Sequence, residues 1–228
     1  MNTSYVRELP LKSQFILALC FSTLVGVFLF FYSAALGHDY QYSYLLWNLF
    51  LAWIPLLLTL RLIEVLRTKP WSSWEALFIS VLWLLFLPNS FYMISDFIHL
   101  QSAPPTQIVF YALTFASIIY TAVVLGFISL YLIHLELKKR FSDKESALYI
   151  ALTIMICCVA IYVGRDLRWN SWDVLTNPGG IIFEVSNQLL HFSYYGQALS
   201  MIMVFFVLIS SMYVLAWSGV KLIHGTKR

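Results

Sequence analysis

Uncharged, mostly apolar runs alternate with short charged clusters along the whole chain. Stretches without Asp, Glu, Lys or Arg cover residues 13–38, 40–60, 76–95, 97–135, 146–164 and 185–220, and none is shorter than 19 residues. A helix crosses a hydrocarbon core with about 20 apolar residues at 1.5 Å rise each, so every run has room for one span. The pattern predicts six helices, at about 14–36, 44–62, 75–94, 108–134, 147–164 and 192–217. These runs are apolar all round rather than striped, as expected where lipid surrounds a helix. They also lack the alternation over about 10 residues that a membrane β-strand needs. The expected fold class is all-α: a polytopic bundle of six transmembrane helices. No linker, low-complexity tract or repeat divides the chain, so residues 1–228 read as a single integral membrane domain.

Composition agrees, with 61% apolar and 11% charged residues, against roughly 45–50% and about 25% in soluble domains. The 25 charged side chains (14 Lys and Arg, 11 Asp and Glu) then orient the bundle. With both termini cytoplasmic, Arg7, Lys12, Arg61, Arg67, Lys69, Lys138, Lys139, Arg140, Lys144, Lys221, Lys227 and Arg228 all face the cytoplasm, 12 of the 14 basic residues. This is the positive-inside bias. Only Arg165 and Arg168 fall outside it. Trp71, Trp74 and Trp217 lie near the inner boundary, and Tyr44, Trp47, Tyr92, Trp169 and Trp172 near the outer one.

The net charge of +3 does not point to nucleic acid, because the basic residues sit beside span ends, where topology and anionic lipid account for them. The bilayer is the expected partner. The first span is longer than the 7–15 apolar residues of a signal peptide's hydrophobic region and is read as an anchor. Cys20, Cys157 and Cys158 lie within spans and read as buried small residues.

Polar residues converge at two outer span ends. The third span closes with Leu87-Pro88-Asn89-Ser90 and runs on to Asp96 and His99. Pro88 has no amide hydrogen and should kink or break the helix, leaving carbonyl groups for Asn89 and Ser90. If helix resumes, Asp96 and His99 share a face, where the carboxylate would orient the imidazole, raise its pKa or join it on a metal. Two ligands at one spacing are a weak metal signal; no metal or cofactor is expected. The fifth span ends with Gly164-Arg165-Asp166-Leu167-Arg168-Trp169-Asn170-Ser171-Trp172-Asp173. Arg165 and Arg168 need compensation there, from Asp96, Asp166 and Asp173 or from an anionic ligand held bidentately. His191 is the one other histidine placed to join this cluster, whereas Asn48 and Pro55 read as packing features of the second span. Beyond it, Asn177-Pro178-Gly179-Gly180 forms a turn, and residues 174–191 fit either an interfacial helix or a connecting loop.

There is no G-x-S-x-G elbow, H-E-x-x-H, Walker loop or C-x-x-C, and no charge lies deep in a span, as ion-coupled transport usually requires. Two readings stay open. In the first, Asn89, Asp96, His99, Arg165, Arg168, Asn170, Ser171, Trp172 and Asp173 bind an anionic lipid headgroup, an envelope precursor or a partner loop. In the second, the same face carries an enzyme of phosphoryl or acyl transfer or hydrolysis, with His99 as general base oriented by Asp96. A small transporter would need a polar path that these spans do not show.

The stretches Leu87-Pro88-Asn89 to Asp96 and His99, and Gly164-Arg165 through Arg168-Trp169-Asn170-Ser171-Trp172-Asp173, resemble the domain-of-unknown-function 1361 family. The resemblance implies a bacterial multi-pass protein of the cytoplasmic membrane. It implies no activity, substrate or catalytic residue.

Overall fold

The computed structural model describes residues 4–37, 40–166, 176, 177, 179, 180, 183, 184, 186 and 192–225; in the first and last helices, side chains are described for 14–37 and 196–222. Its six long helices are α1 (Ser4–Gly37), α2 (Tyr44–Leu66), α3 (Trp74–Tyr92), α4 (Ile108–Lys138), α5 (Asp143–Asp166) and α6 (Phe192–Gly225), with a 3₁₀ helix, Met93–Ser102, continuing α3. All six are long and apolar enough to cross a membrane, and there is no strand among the described residues. The helices overrun the expected spans mostly at their polar ends: α2 reaches Leu66 and α4 reaches Lys138. Hydropathy marks only the part of a helix immersed in hydrocarbon, whereas backbone hydrogen bonding continues into the headgroup layer.

Two helix starts are written in local side-chain chemistry. Ser73, in extended conformation, accepts the amide of Ala76 at 3.4 Å to cap α3, with Glu75 in the first turn facing the positive end of the helix dipole. Before α5, the Glu145 amide donates to Ser142 Oγ at 3.3 Å while the Ser142 amide donates to the Glu145 carboxylate at 2.9 Å. That reciprocal pair is a capping box.

Pro88 does not break α3; the α-helix runs through it to Tyr92 and tightens to 3₁₀ only at Met93. Packed neighbours make proline tolerable in membrane helices. Here Pro88 is buried, Asn89 donates to the Phe86 carbonyl at 3.1 Å, and Ser90 reaches the Ala52 carbonyl of α2 at 3.4 Å.

Helix α4 lies at the centre. It packs against α1, α2, α3, α5, α6 and the 3₁₀ helix, while α1 makes its main contact with α4 rather than with its sequence neighbour α2. One apolar cluster joins α1, α2 and α4 through Phe30, Leu49 and Phe115; another joins α2 to α6 through Leu62, Trp83, Leu130, Ile154 and Ile209. Close approach relies on small and hydroxylic residues, as lipid gives apolar helices little reason to associate. Thr59 and Ser129 bond at 2.8 Å with Trp83 Nε1 also donating to Ser129, and Ser33 pairs with Thr114 at 2.6 Å. Outward-facing Phe21, Leu24 and Phe28 of α1 and Val204, Val207 and Leu215 of α6 are exposed to the lipid phase. Cys157 and Cys158 are buried as expected, but Cys20 is exposed on α1, because that helix is covered on one side only.

Candidate functional site

The bundle has two chemically distinct ends. At one, Arg61 pairs with Glu64 and Glu75, Lys69 with Glu75, and Lys138 with Asp143, while Arg140 and Lys221 lie over the rings of Trp71 and Trp217. The buried His134 stacks on Trp217 and bonds through Nδ1 to the Tyr213 hydroxyl at 2.9 Å. The opposite end holds the 3₁₀ helix, and Arg165 is the basic residue described there.

At that opposite end the two polar segments meet. The guanidinium of Arg165, at the end of α5, donates to the carbonyl oxygen of Ser95 at 2.6 Å, a contact spanning 70 residues of sequence. Ser95 itself is fixed by donating to the Tyr92 carbonyl at 2.7 Å. The next residue, Asp96, is only 2% exposed. Its carboxylate accepts from Asn48 of α2 at 3.4 Å and lies within electrostatic range of Arg165. Among the described residues Asp96 closes no ion pair with a cation. Tyr44 and Tyr92 stand in the fields of the same charges, Tyr44 of Asp96 and Tyr92 of Asp96, Arg165 and Asp166. The Tyr44 hydroxyl is buried and has no hydrogen-bond partner among the described residues.

The ten-residue 3₁₀ helix positions these groups. Such helices rarely exceed three or four residues, and a longer run marks strain or function. With three residues per turn, Asp96 and His99 do fall on one face, but one turn carries them into different surroundings. Asp96 is buried and faces Asn48 of α2, whereas His99 is exposed, its ring centroid 5.6 Å from that of Tyr44 in a T-shaped pair and its carbonyl accepting from Tyr42 at 3.3 Å. No hydrogen bond joins the Asp96 carboxylate to the His99 imidazole among the described residues, so the orientation of a general base by Asp96 is not formed here. Asn89 lies one helical turn or more before the cluster, half-buried and donating back to its own helix.

Arg168, Trp169, Asn170, Ser171, Trp172, Asp173 and His191 lie outside the described residues. Of the turn before α6, Asn177 Oδ1 accepts the Gly180 amide at 3.0 Å, and Phe183 is 72% exposed. No group of three or more His, Cys, Asp or Glu suited to a metal occurs among the described residues. The participants missed in the sequence are Tyr44, Asn48 and Tyr92. Each sits at a span end, where tyrosine reads as an interface anchor and a single Asn as a packing residue; only Asn48, the one amide inside the second span, carried a signal.

A six-span helical bundle with one buried, amide-held carboxylate near an arginine defines the class of protein. The profile of a family described as "Protein of unknown function (DUF1361)" matches residues 47–212. The chain belongs to that family. The match takes in Asn48, Asp96, His99 and Arg165. No curated protein and no solved structure matches the chain.

Proposed function

We propose that the Asp96 end is a binding site for an anionic headgroup, carried by a membrane lipid or a lipid-linked envelope precursor, in a protein of the bacterial cytoplasmic membrane with both termini inside. The observation that carries this reading is the anchoring of Arg165 on the Ser95 carbonyl beside buried Asp96. An arginine on the outer side is held against the charge bias that most of the other basic residues follow. The bond to Ser95 uses only part of a guanidinium with five N–H donors. Asp96, held by Asn48, lies in the field of that guanidinium and closes no ion pair with it, and the Tyr44 hydroxyl, without a partner among the described residues, supplies a further donor. The exposed imidazole of His99 flanks the same surface. Arg168, Asn170, Ser171, Trp172 and Asp173, which follow Arg165 in the sequence, are included in the proposal on their place in the sequence alone. The enzymatic alternative has less support, because the Asp96–His99 bond that would ready a base is missing from the geometry.

The test is retention of phosphatidylglycerol against phosphatidylcholine by the delipidated protein, followed by native mass spectrometry. Arg165→Ala should weaken one phosphatidylglycerol binding event about tenfold or more, with Arg165→Lys intermediate since it keeps charge without the fork. An unchanged number of tightly bound phosphatidylglycerol molecules in an Arg165→Ala protein that melts like wild type refutes the site.

A further inference from the structure

A cavity of about 690 Å³ opens between α1, α2, α4 and α6, away from the Asp96 site. Its wall is apolar, with Leu19 from α1, Leu56 from α2, Ile128 from α4 and Ala216 from α6 among the lining residues, and its volume is within the roughly 300–1,000 Å³ of ligand sites. Along α2 the lining runs from Leu56 to Arg67, about 16 Å at 1.5 Å per residue. That reaches from the charged end of the bundle about halfway through a hydrocarbon core of about 30 Å.

The charged rim is asymmetric. Glu64 and Arg67 both line it, but Glu64 is engaged by Arg61 at 3.2 Å, whereas the exposed Arg67 makes no side-chain hydrogen bond or ion pair with any described residue. Trp217, also at the rim, has Lys221 Nζ at 5.3 Å and Lys138 Nζ at 5.6 Å from its ring centroid, the latter paired with Asp143 at 2.9 Å. A mouth with one uncommitted arginine and a tryptophan, above an apolar slot aligned with the spans, matches one ligand chemistry. That chemistry is an anion joined to a hydrocarbon chain.

We propose that this cavity holds one acyl chain of an anionic phospholipid, whose phosphate is met by Arg67. It is a second lipid site, at the opposite end of the bundle from Asp96 and independent of it. Bulk lipid would also touch these helices, but it would not distinguish headgroups or depend on Arg67.

The experiment uses the full-length purified protein and native mass spectrometry of bound phosphatidylglycerol, with phosphatidylcholine and chain-free glycerol phosphate as comparators. Arg67→Gln should weaken one phosphatidylglycerol binding event at least tenfold, leaving the one at the Asp96 end, and phosphatidylcholine binding hardly at all. Ile128→Trp, which fills the slot from α4, should exclude both lipids from this site while leaving Arg67 in place. Arg165→Ala should leave this site intact, so failure here and failure at the Asp96 end are separable. The proposal is overturned if Arg67→Gln and Ile128→Trp both bind phosphatidylglycerol as wild type does, or if glycerol phosphate competes as well as the intact lipid. Arg67 is exposed, so its replacement is expected to fold and the result to be readable whichever way Ile128→Trp behaves.

Discussion

Among the described residues each end of the bundle buries one carboxylate, and the two are treated in opposite ways. Glu136 is 6% exposed, and it is clamped by Lys139, at ion-pair contact, and by Arg140 at 3.5 Å. Asp96 is 2% exposed, receives one neutral amide at 3.4 Å, and has its nearest described arginine committed to a backbone carbonyl. A buried charge is tolerable when its partners are close and complete. Glu136 meets that condition and needs no further role. Asp96 meets it only in part, and partial compensation is the condition in which a third, external group has something to add.

The comparison can be broken most forcefully from the middle of the bundle. A Cβ at Gly126 of α4 would stand 2.7 Å from Ser90 Cβ and 3.0 Å from Phe91 Cζ of α3. Gly126→Val should therefore push α3 off α4, at about 3 kcal/mol for overpacking, and displace the 3₁₀ helix that α3 carries. Thermal melting should fall sharply and the anionic-lipid preference of the Asp96 end should vanish. A Gly126→Val protein that melts like wild type would mean that α3 and α4 are not packed this way.

Removing the amide sharpens the contrast. Asn48→Leu leaves Asp96 buried without its donor, which should cost about 2 kcal/mol. Asp96→Asn in the same background should return most of that loss. A double-mutant cycle measures the recovery, and strictly additive effects would show that Asn48 does not hold Asp96. Glu136→Gln is expected to be the mildest change, under about 1 kcal/mol, because Lys139 is 63% exposed and regains water when freed. A loss equal to that of Asn48→Leu in chemical unfolding would erase the distinction between the two ends.

The legibility of these features in the sequence follows the physics that wrote them. Lipid acts on composition over about 20 residues at a time, so the ends of the six helices can be read from the gaps between charges to within about a turn, except the start of α1 at Ser4 and the end of α6 at Gly225, which run well beyond the expected 14 and 217. Charges out of place are equally visible, which is why Arg165 and Asp96 stand out from the order of residues alone. Pairing between helices leaves no comparable trace. Nothing in α1 says that Gly26 approaches Ile118 of α4 or that Ser33 bonds to Thr114, since every face of an apolar helix reads alike. The departure at Pro88 has the same origin. Intrinsic propensity favours a break, but packing against α2 and α4 holds the helix together, and the irregularity is deferred to Met93, where it shapes the site.

The position of α4 has a consequence for how the protein is made. Membrane chains are threaded into the bilayer from the N-terminus, yet α1 has little to hold until α4 arrives, some 70 residues after α1 ends at Gly37. During that interval the hydroxyls of Ser22 and Ser33 have neither Thr121 nor Thr114 to meet. Until then little beyond the bond from Trp53 of α2 to Thr23 at 3.2 Å ties the first helix to the chain, and its exposed rows of Phe and Leu suit a segment surrounded by lipid. Assembly of the bundle is gated by the fourth insertion event, so a ribosome stalled before α4 would leave three helices without their keystone and a natural substrate for membrane quality control.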